Sequence, residues 1–215
     1  KRIKNKNLIK FFDKPLIYYS ILAAKKSRLF KKIIVSTDSK KIKFISEKYG
    51  ASVITLRPKY LSGDKTKVQD VIKYEINNLI KRKIKFNYVC CIYPTAPLIQ
   101  IKDIKRGEKK IKKNWDYVFS ACKFEKSILR SFTLKKNKTI KFLYPKLINT
   151  NTQDLEQTYF DAGQFYWAKK EKWKEKKLYQ KRGSIIQINQ KFVQDIDYKN
   201  DLKILKLKYK KIYEK

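Results

Sequence analysis

Histidine and methionine are missing altogether from the 215 residues, while glycine and proline occur five times each and cysteine three times. Each gap removes a class of chemistry. Without histidine, no Ser-His-Asp or Cys-His nucleophile pair can form and no imidazole can bind a metal; three cysteines cannot complete a Cys₄ zinc site. The glycines stand singly at 50, 63, 107, 163 and 183, so neither G-x-G-x-x-G nor G-x-x-x-x-G-K-[ST] can be written anywhere. No apolar run approaches the roughly 20 residues that span a bilayer, and no signal-like leader is visible. Cys90 and Cys91 lie side by side in an apolar run and Cys122 stands apart, which suits small buried side chains in a reducing compartment. A soluble cytoplasmic protein is expected. The lack of methionine at position 1 leads to the further expectation that native residues precede Lys1.

What is abundant is lysine. The formal net charge is +36, and 48 of the 55 basic residues are Lys against 7 Arg. Such a charge raises nucleic acid as a partner, since phosphate neutralisation supplies most non-specific affinity. Base readout and bidentate phosphate contacts favour Arg, however, and here lysine runs through every window instead of massing on one stripe. With 27 Ile and only 7 Ala, the pattern reads as compositional drift across permissive surface positions. The same positive field would steer a small anionic substrate such as a nucleotide. Neither nucleic acid nor membrane is expected as a partner.

Apolar periodicity alternates between two signatures along the chain. Helices are predicted over 15–29, 40–49, 66–82, 101–113 and 198–213, the first opening at Pro15 and the second closing on Gly50. Between them lie β-branched or apolar runs at 32–37, 52–56, 87–93, 115–121, 184–188 and 192–196, which read as buried strands. This β-α-β alternation predicts one α/β domain over 1–215, built on a parallel sheet covered on both faces. The pattern changes at about 122–168. There Ser131–Leu134, Thr139–Leu143 and Gln164–Trp167 read as hairpin strands of an inserted arm, lid or dimerisation element.

Five stretches carry candidate chemistry. Asp195 and Asp197, at i and i+2 in a predicted strand, would point to one side, where a hard cation such as Mg²⁺ takes carboxylate oxygens. The competing reading is that Asp197 caps the last helix. The leading KRIKNKN can hold phosphate through charge-assisted hydrogen bonds, or can be a solvated terminus. Arg57 follows a predicted strand in a chain that otherwise chooses lysine, which suggests a site needing a planar fork, or else a surface arginine. In Tyr93-Pro94-Thr95-Ala96-Pro97 two prolines stiffen the backbone around Thr95, a local donor or acceptor. Finally, 154–167 mixes acids, amides and aromatics around Gly163, as a sugar pocket or a packed strand would.

In this order, KRIKNKNL, KPLIYYSI, IIVSTDS, YGASVITLRP, PTAPL and the closing DID-x-x-x-DL resemble the acylneuraminate cytidylyltransferase family, the CMP-nonulosonic acid synthetases. YVCCIYPTAPLI and DAGQFYW look most like its pseudaminic acid branch. The resemblance implies a three-layer Rossmann-like nucleotidyltransferase sheet and a homodimer made through the β arm. It also implies transfer of CMP from CTP to a nonulosonic acid, with pyrophosphate released. The alternative substrates are N-acetylneuraminic and legionaminic acid; the alternative of another class is a lysine-rich nucleic-acid binder. Carried over by position, Lys1, Arg2, Lys6, Asn7, Arg57 and Thr95 would bind the nucleotide. Asp195 and Asp197 would hold Mg²⁺ and, with Lys6, form the catalytic set. Tyr93 stands where sialic acid enzymes usually carry glutamine, which makes Tyr93, Asp161 and Gln164 the expected sugar contacts. The family's Ala-Arg-Gly-Gly-Ser loop would lie directly before Lys1, so the 215 residues without that loop are expected to be inactive.

Overall fold

The computed structural model describes residues 3, 5–175 and 182–214. Lys1 and Arg2 lie outside them. A 3₁₀ turn at Lys6–Leu8 leads into a two-residue hairpin, β1 (Lys10–Phe11) and β2 (Lys14–Pro15), and then into α1 (Leu16–Ser27). Pro15 is therefore the N-cap residue, with extended backbone, and not the first helical residue. The runs at 32–37 and 52–56 meet in a minimal parallel step: Ser52 N–H donates to Ile33 and Val35 N–H to Ser52, with Ile34 bridged to Ser52. Between them runs α2 (Lys40–Lys48). The Ser39 hydroxyl accepts from Ile42 N–H at its start, and Gly50 follows its last turn at φ +88°, a left-handed geometry that favours glycine.

Next come α3 (Val68–Lys81), β3 (Tyr88–Ile92), α4 (Ile101–Ile111) and β4 (Tyr117–Lys123). A small hairpin follows, β5 (Phe132–Leu134) against β6 (Ile140–Phe142), then β7 (Tyr159–Lys169), β8 (Gly183–Gln187) and α5 (Lys199–Tyr213). The main sheet has the order β3-β7-β4-β8. It is mixed, not parallel: β7 runs antiparallel to both β3 and β4, while β4 and β8 are parallel. The expected arm at 122–168 is accordingly too wide, since Gln164–Trp167 belongs to the middle of the main sheet and only the stretch around β5 and β6 stands apart. The predicted strand at 192–196 is a 3₁₀ turn, Gln190–Phe192, followed by irregular extended chain.

Side-chain alternation on β7 builds the layers. Phe165 and Trp167 face one side, where they pack with Ile104 and Ile111 of α4, Ala23 of α1 and Val118 of β4. Tyr166 and Ala168 face the other, against Ile72 and Ile76 of α3 and Trp173. The result is three layers: α1 and α4, the sheet, then α3. α4 approaches closely because position 107 is glycine; a Cβ there would sit 2.7 Å from Cδ1 of Trp167. α5 seats Leu205, fully buried, on a separate cluster of Phe11, Leu16, Leu98 and Ile196, which ties the last helix to the leading hairpin.

Candidate active site

β7 pairs with β4 in two registers. Phe119 faces Tyr166, but Ala121 faces Asp161, so β7 carries extra residues opposite Ser120. A bulge of this kind bends the strand and re-aims its side chains. Local groups satisfy the displaced backbone: the Ser120 hydroxyl oxygen accepts from Gln164 N–H at 3.3 Å and Phe165 N–H at 3.2 Å, and Oδ1 of Asp161 accepts from Gly163 N–H at 2.9 Å. Gly163 sits at φ +61°, and a Cβ there would lie 3.4 Å from Oδ1 of Asp195. The bulge thus pushes Gly163 and Gln164 into a cleft of about 230 Å³.

Three further segments close that cleft. Tyr93 and Thr95 come from the loop after the carboxyl end of β3, where ligands of open α/β sheets bind. Tyr93 N–H donates to the Gln164 carbonyl at 2.9 Å, and its own carbonyl accepts from the Ser20 hydroxyl at 2.8 Å. Asp195 and Asp197 come from the chain between β8 and α5. This stretch is not a strand, yet its alternation survives: Ile196 is buried in the α5 cluster while the flanking carboxylates line the cleft. The leading turn supplies Lys6, whose Nζ donates to the Ile196 carbonyl at 3.0 Å and to Oδ1 of Asp197 at 3.4 Å. Ile3 N–H adds a bond to the Asp197 carbonyl.

The capping alternative for Asp197 is resolved by its neighbour. Oδ2 of Asp201 accepts from the N–H groups of both Asp197 and Tyr198, closing a capping box at the start of α5. These two donors hold the Asp201 carboxyl below the usual range. The Asp197 carboxylate faces the cleft and Lys6 instead. Burial pushes the Asp195 carboxyl up, and Asp197 pushes it further, with Lys6 working against both. A carboxylate whose charge is disfavoured by burial and by a second carboxylate in the same cleft suits a divalent cation. Among the described residues no third acid, histidine or cysteine completes a metal cluster with them. A cation held here would draw its remaining ligands from water and substrate oxygens, as Mg²⁺ does.

Not every expected residue arrives. Arg57 does not line the cleft: its N–H donates to the Thr37 carbonyl at 2.8 Å and its Nη2 lies 3.8 Å from Oδ1 of Asp38, at the end of the 32–37 run. Beside it the Ser36 hydroxyl donates to Oε1 of the buried Glu75 at 2.6 Å. Asn7 sits in the leading turn next to Lys6 without lining the cleft, and Asp161 lies beside the cleft, not in it. Gln164 does line it, although its amide N–H₂ is committed to the Phe192 carbonyl at 2.6 Å. Tyr166, absent from the expectations, donates its hydroxyl to Asp161 at 2.8 and 2.7 Å to the two oxygens. Its only sequence signal was Gly163, which marks the bulge that folds Asp161 back toward it.

A carboxylate pair and a lysine thus meet at the mouth of a three-layer α/β sheet, an arrangement that suits nucleotidyl transfer. The comparisons agree. The cytidylyltransferase family profile matches residues 1–215, and the chain belongs to that family. It is 35% identical over 216 residues to the pseudaminic acid cytidylyltransferase of Campylobacter jejuni, covering all of this chain and 93% of that one. It is 36% identical over 199 residues to the Helicobacter pylori protein named pseudaminic acid cytidylyltransferase and UDP-2,4-diacetamido-2,4,6-trideoxy-beta-L-altropyranose hydrolase; the match takes in 91% of this chain and spans 38% of that protein's length. The fold is that of a CMP:2-keto-3-deoxy-manno-octonic acid synthetase solved with CTP, at a TM-score of 0.69 and 12% identity over 96% of this chain and 92% of that one.

Proposed function

We propose that the protein transfers CMP from CTP to the anomeric hydroxyl of a nonulosonic acid, pseudaminic acid first, and releases pyrophosphate. The observation that carries this reading is the meeting of Lys6 with the Asp195-Ile196-Asp197 segment, 190 residues further along the chain, in one cleft beneath the β7 bulge. The full-length likeness to pseudaminic acid cytidylyltransferases supports the choice of sugar over N-acetylneuraminic and legionaminic acid. In the reaction the anomeric hydroxyl gives up its proton to water while its oxygen bonds to the α-phosphorus and the bond to the bridging oxygen of the β-phosphate breaks. That oxygen leaves with the electron pair as pyrophosphate. Positioning and charge supply most of the rate in such a transfer.

Lys6 is held at the Asp197 end of the cleft and would place its ammonium against phosphate charge. Thr95, stiffened by Pro94 and Pro97, lines the cleft and would hydrogen-bond the nucleotide. Asp195 and Asp197 would hold Mg²⁺, which when bound neutralises phosphate charge and eases departure of pyrophosphate. Beyond the cleft, the lysine-rich surface would raise the local concentration of two anionic substrates. The β5–β6 hairpin exposes Phe132, Leu134, Ile140 and Leu143, an apolar face suited to a second copy of the chain and so to a homodimer.

The test is pyrophosphate release by the full-length protein with CTP and a panel of nonulosonic acids, with and without Mg²⁺. Fastest turnover with pseudaminic acid, and dependence on the metal, are expected; a panel with no release from any sugar acid would overturn the reading. Asp197→Ala is expected to lower kcat by about 10²–10³ while thermal unfolding stays cooperative, because Asp201 keeps the α5 cap. Activity that merely tracks the folded fraction would return Asp197 to a structural role.

A further inference from the structure

Gln164 is 4% exposed on a strand whose neighbouring buried side chains are Ala162, Phe165, Tyr166 and Trp167. An apolar residue of its size would fill that space without taking an amide out of water, so the amide is there for its hydrogen bonds. The backbone N–H donates to the Ser120 hydroxyl oxygen at 3.3 Å, the backbone carbonyl accepts from Tyr93 N–H at 2.9 Å, and the side-chain N–H₂ donates to the Phe192 carbonyl at 2.6 Å. One residue thus joins β4, the proline loop after β3 and the segment that runs on to Asp195 and Asp197.

That segment depends on support from elsewhere. From Val193 to Ile196 it pairs with no strand, and long side chains hold its carbonyls: Gln164 holds Phe192, Lys208 holds Val193 at 2.6 Å, and Lys6 holds Ile196 at 3.0 Å. Of these three anchors Lys208 belongs to α5, Lys6 to the leading turn, and Gln164 to the sheet. The opposite wall is fixed by bonds that any side chain at position 164 leaves in place. The Tyr93 carbonyl accepts from the Ser20 hydroxyl at 2.8 Å, and Tyr93 N–H donates to the backbone carbonyl of Gln164.

Resting on the function proposed above, we infer that Gln164 is the positioning residue that holds the acidic wall of the cleft in register with the proline-loop wall. It acts through the Phe192 carbonyl and the acids beyond it. Without its amide donor the proline loop keeps both anchors, while the strip carrying Asp195 loses its tie to the sheet. Reacting groups held in this way lose up to about 10²-fold in rate for a misplacement of about 1 Å.

The experiment compares wild type with Gln164→Met, which keeps the length and bulk of the side chain and lacks its donor, in the full-length protein. Rates are taken per folded molecule, and Gln164→Leu replaces Gln164→Met should the latter fold poorly. The expected result is a kcat about ten- to hundredfold lower, with KM for pseudaminic acid within about threefold of wild type. CTP affinity without Mg²⁺, read by calorimetry in the absence of sugar, is expected to be unchanged. A kcat within about threefold of wild type, a sugar KM that rises as far as kcat falls, or an equal loss of metal-free CTP affinity would overturn the positioning role while leaving the proposed reaction standing. A wild-type protein that neither binds CTP nor turns over any sugar acid would overturn both.

Discussion

The two halves of β7 solve opposite problems. From Phe165 to Lys169 the strand is flanked by β3 and β4, and its side chains fill both cores, with Phe165 and Ala168 fully buried and Trp167 nearly so. From Ala162 to Gln164 the ladder with β4 is broken, one residue is left-handed, and the backbone leans on the Ser120 hydroxyl and the Asp161 carboxylate. Within one strand, continuous pairing builds stability, and its interruption builds the cleft. The regular half fixes where the bulge sits, and the bulge fixes what Tyr93 and Asp195 face.

Substitutions that strike one half and spare the other sharpen this contrast. The largest stability effect is expected from Trp167→Ala, which empties a site packed against Phe30, Gly107 and Phe165: a loss of about 3–5 kcal/mol by denaturant unfolding, with KM values unmoved in whatever fraction stays folded. Gly163→Ala is the mirror case. Left-handed backbone costs a non-glycine residue roughly 1–2 kcal/mol, and relief of that strain would shift the bulge that touches Asp195, so kcat/KM is expected to fall further than unfolding free energy does. Equal losses in the two measurements would mean that the bulge serves only the fold.

The smallest effect belongs to Glu75, remote from both halves. Burial raises its carboxyl, and the Ser36 hydroxyl and the Arg57 charge offset this only in part. The folded chain therefore binds that proton more tightly than the unfolded chain does. Stability is lost as pH rises from the ordinary glutamate value of about 4.3 through the raised folded value. Glu75→Gln keeps the acceptor for Ser36 and removes the titration. Its Tm relative to the wild type should climb across that window and level off above it; a difference that stays flat with pH would show that Glu75 is not titrating there.

The helices were legible because local rules fix them: spacing of apolar residues, Pro15 ahead of α1 and Gly50 after α2. Strand direction was not. The run FYWA is apolar on both faces, as any doubly covered strand is, so its composition fits parallel and antiparallel neighbours equally. The pairing of Asp195 with Asp197 was readable from spacing, since alternation persists in extended chain without a ladder. Arg57 shows the limit of rarity as a clue: an unusual residue type has chemistry but no address, and here the address is Asp38 and Glu75. Tyr166 escaped notice because its partner Asp161 becomes a neighbour only through the bulge, a distortion that a single glycine announces but does not measure.

Lys6 clasping the segment around Asp197 has a consequence for synthesis. The two sides of the cleft are translated 190 residues apart, so a growing polypeptide can assemble much of the sheet before the segment that closes the cleft has been made. A polypeptide that stopped between β8 and Asp195 would keep the sheet and lack the acidic wall of the cleft. The clasp makes closure of the cleft wait on a segment synthesised long after the one it grips.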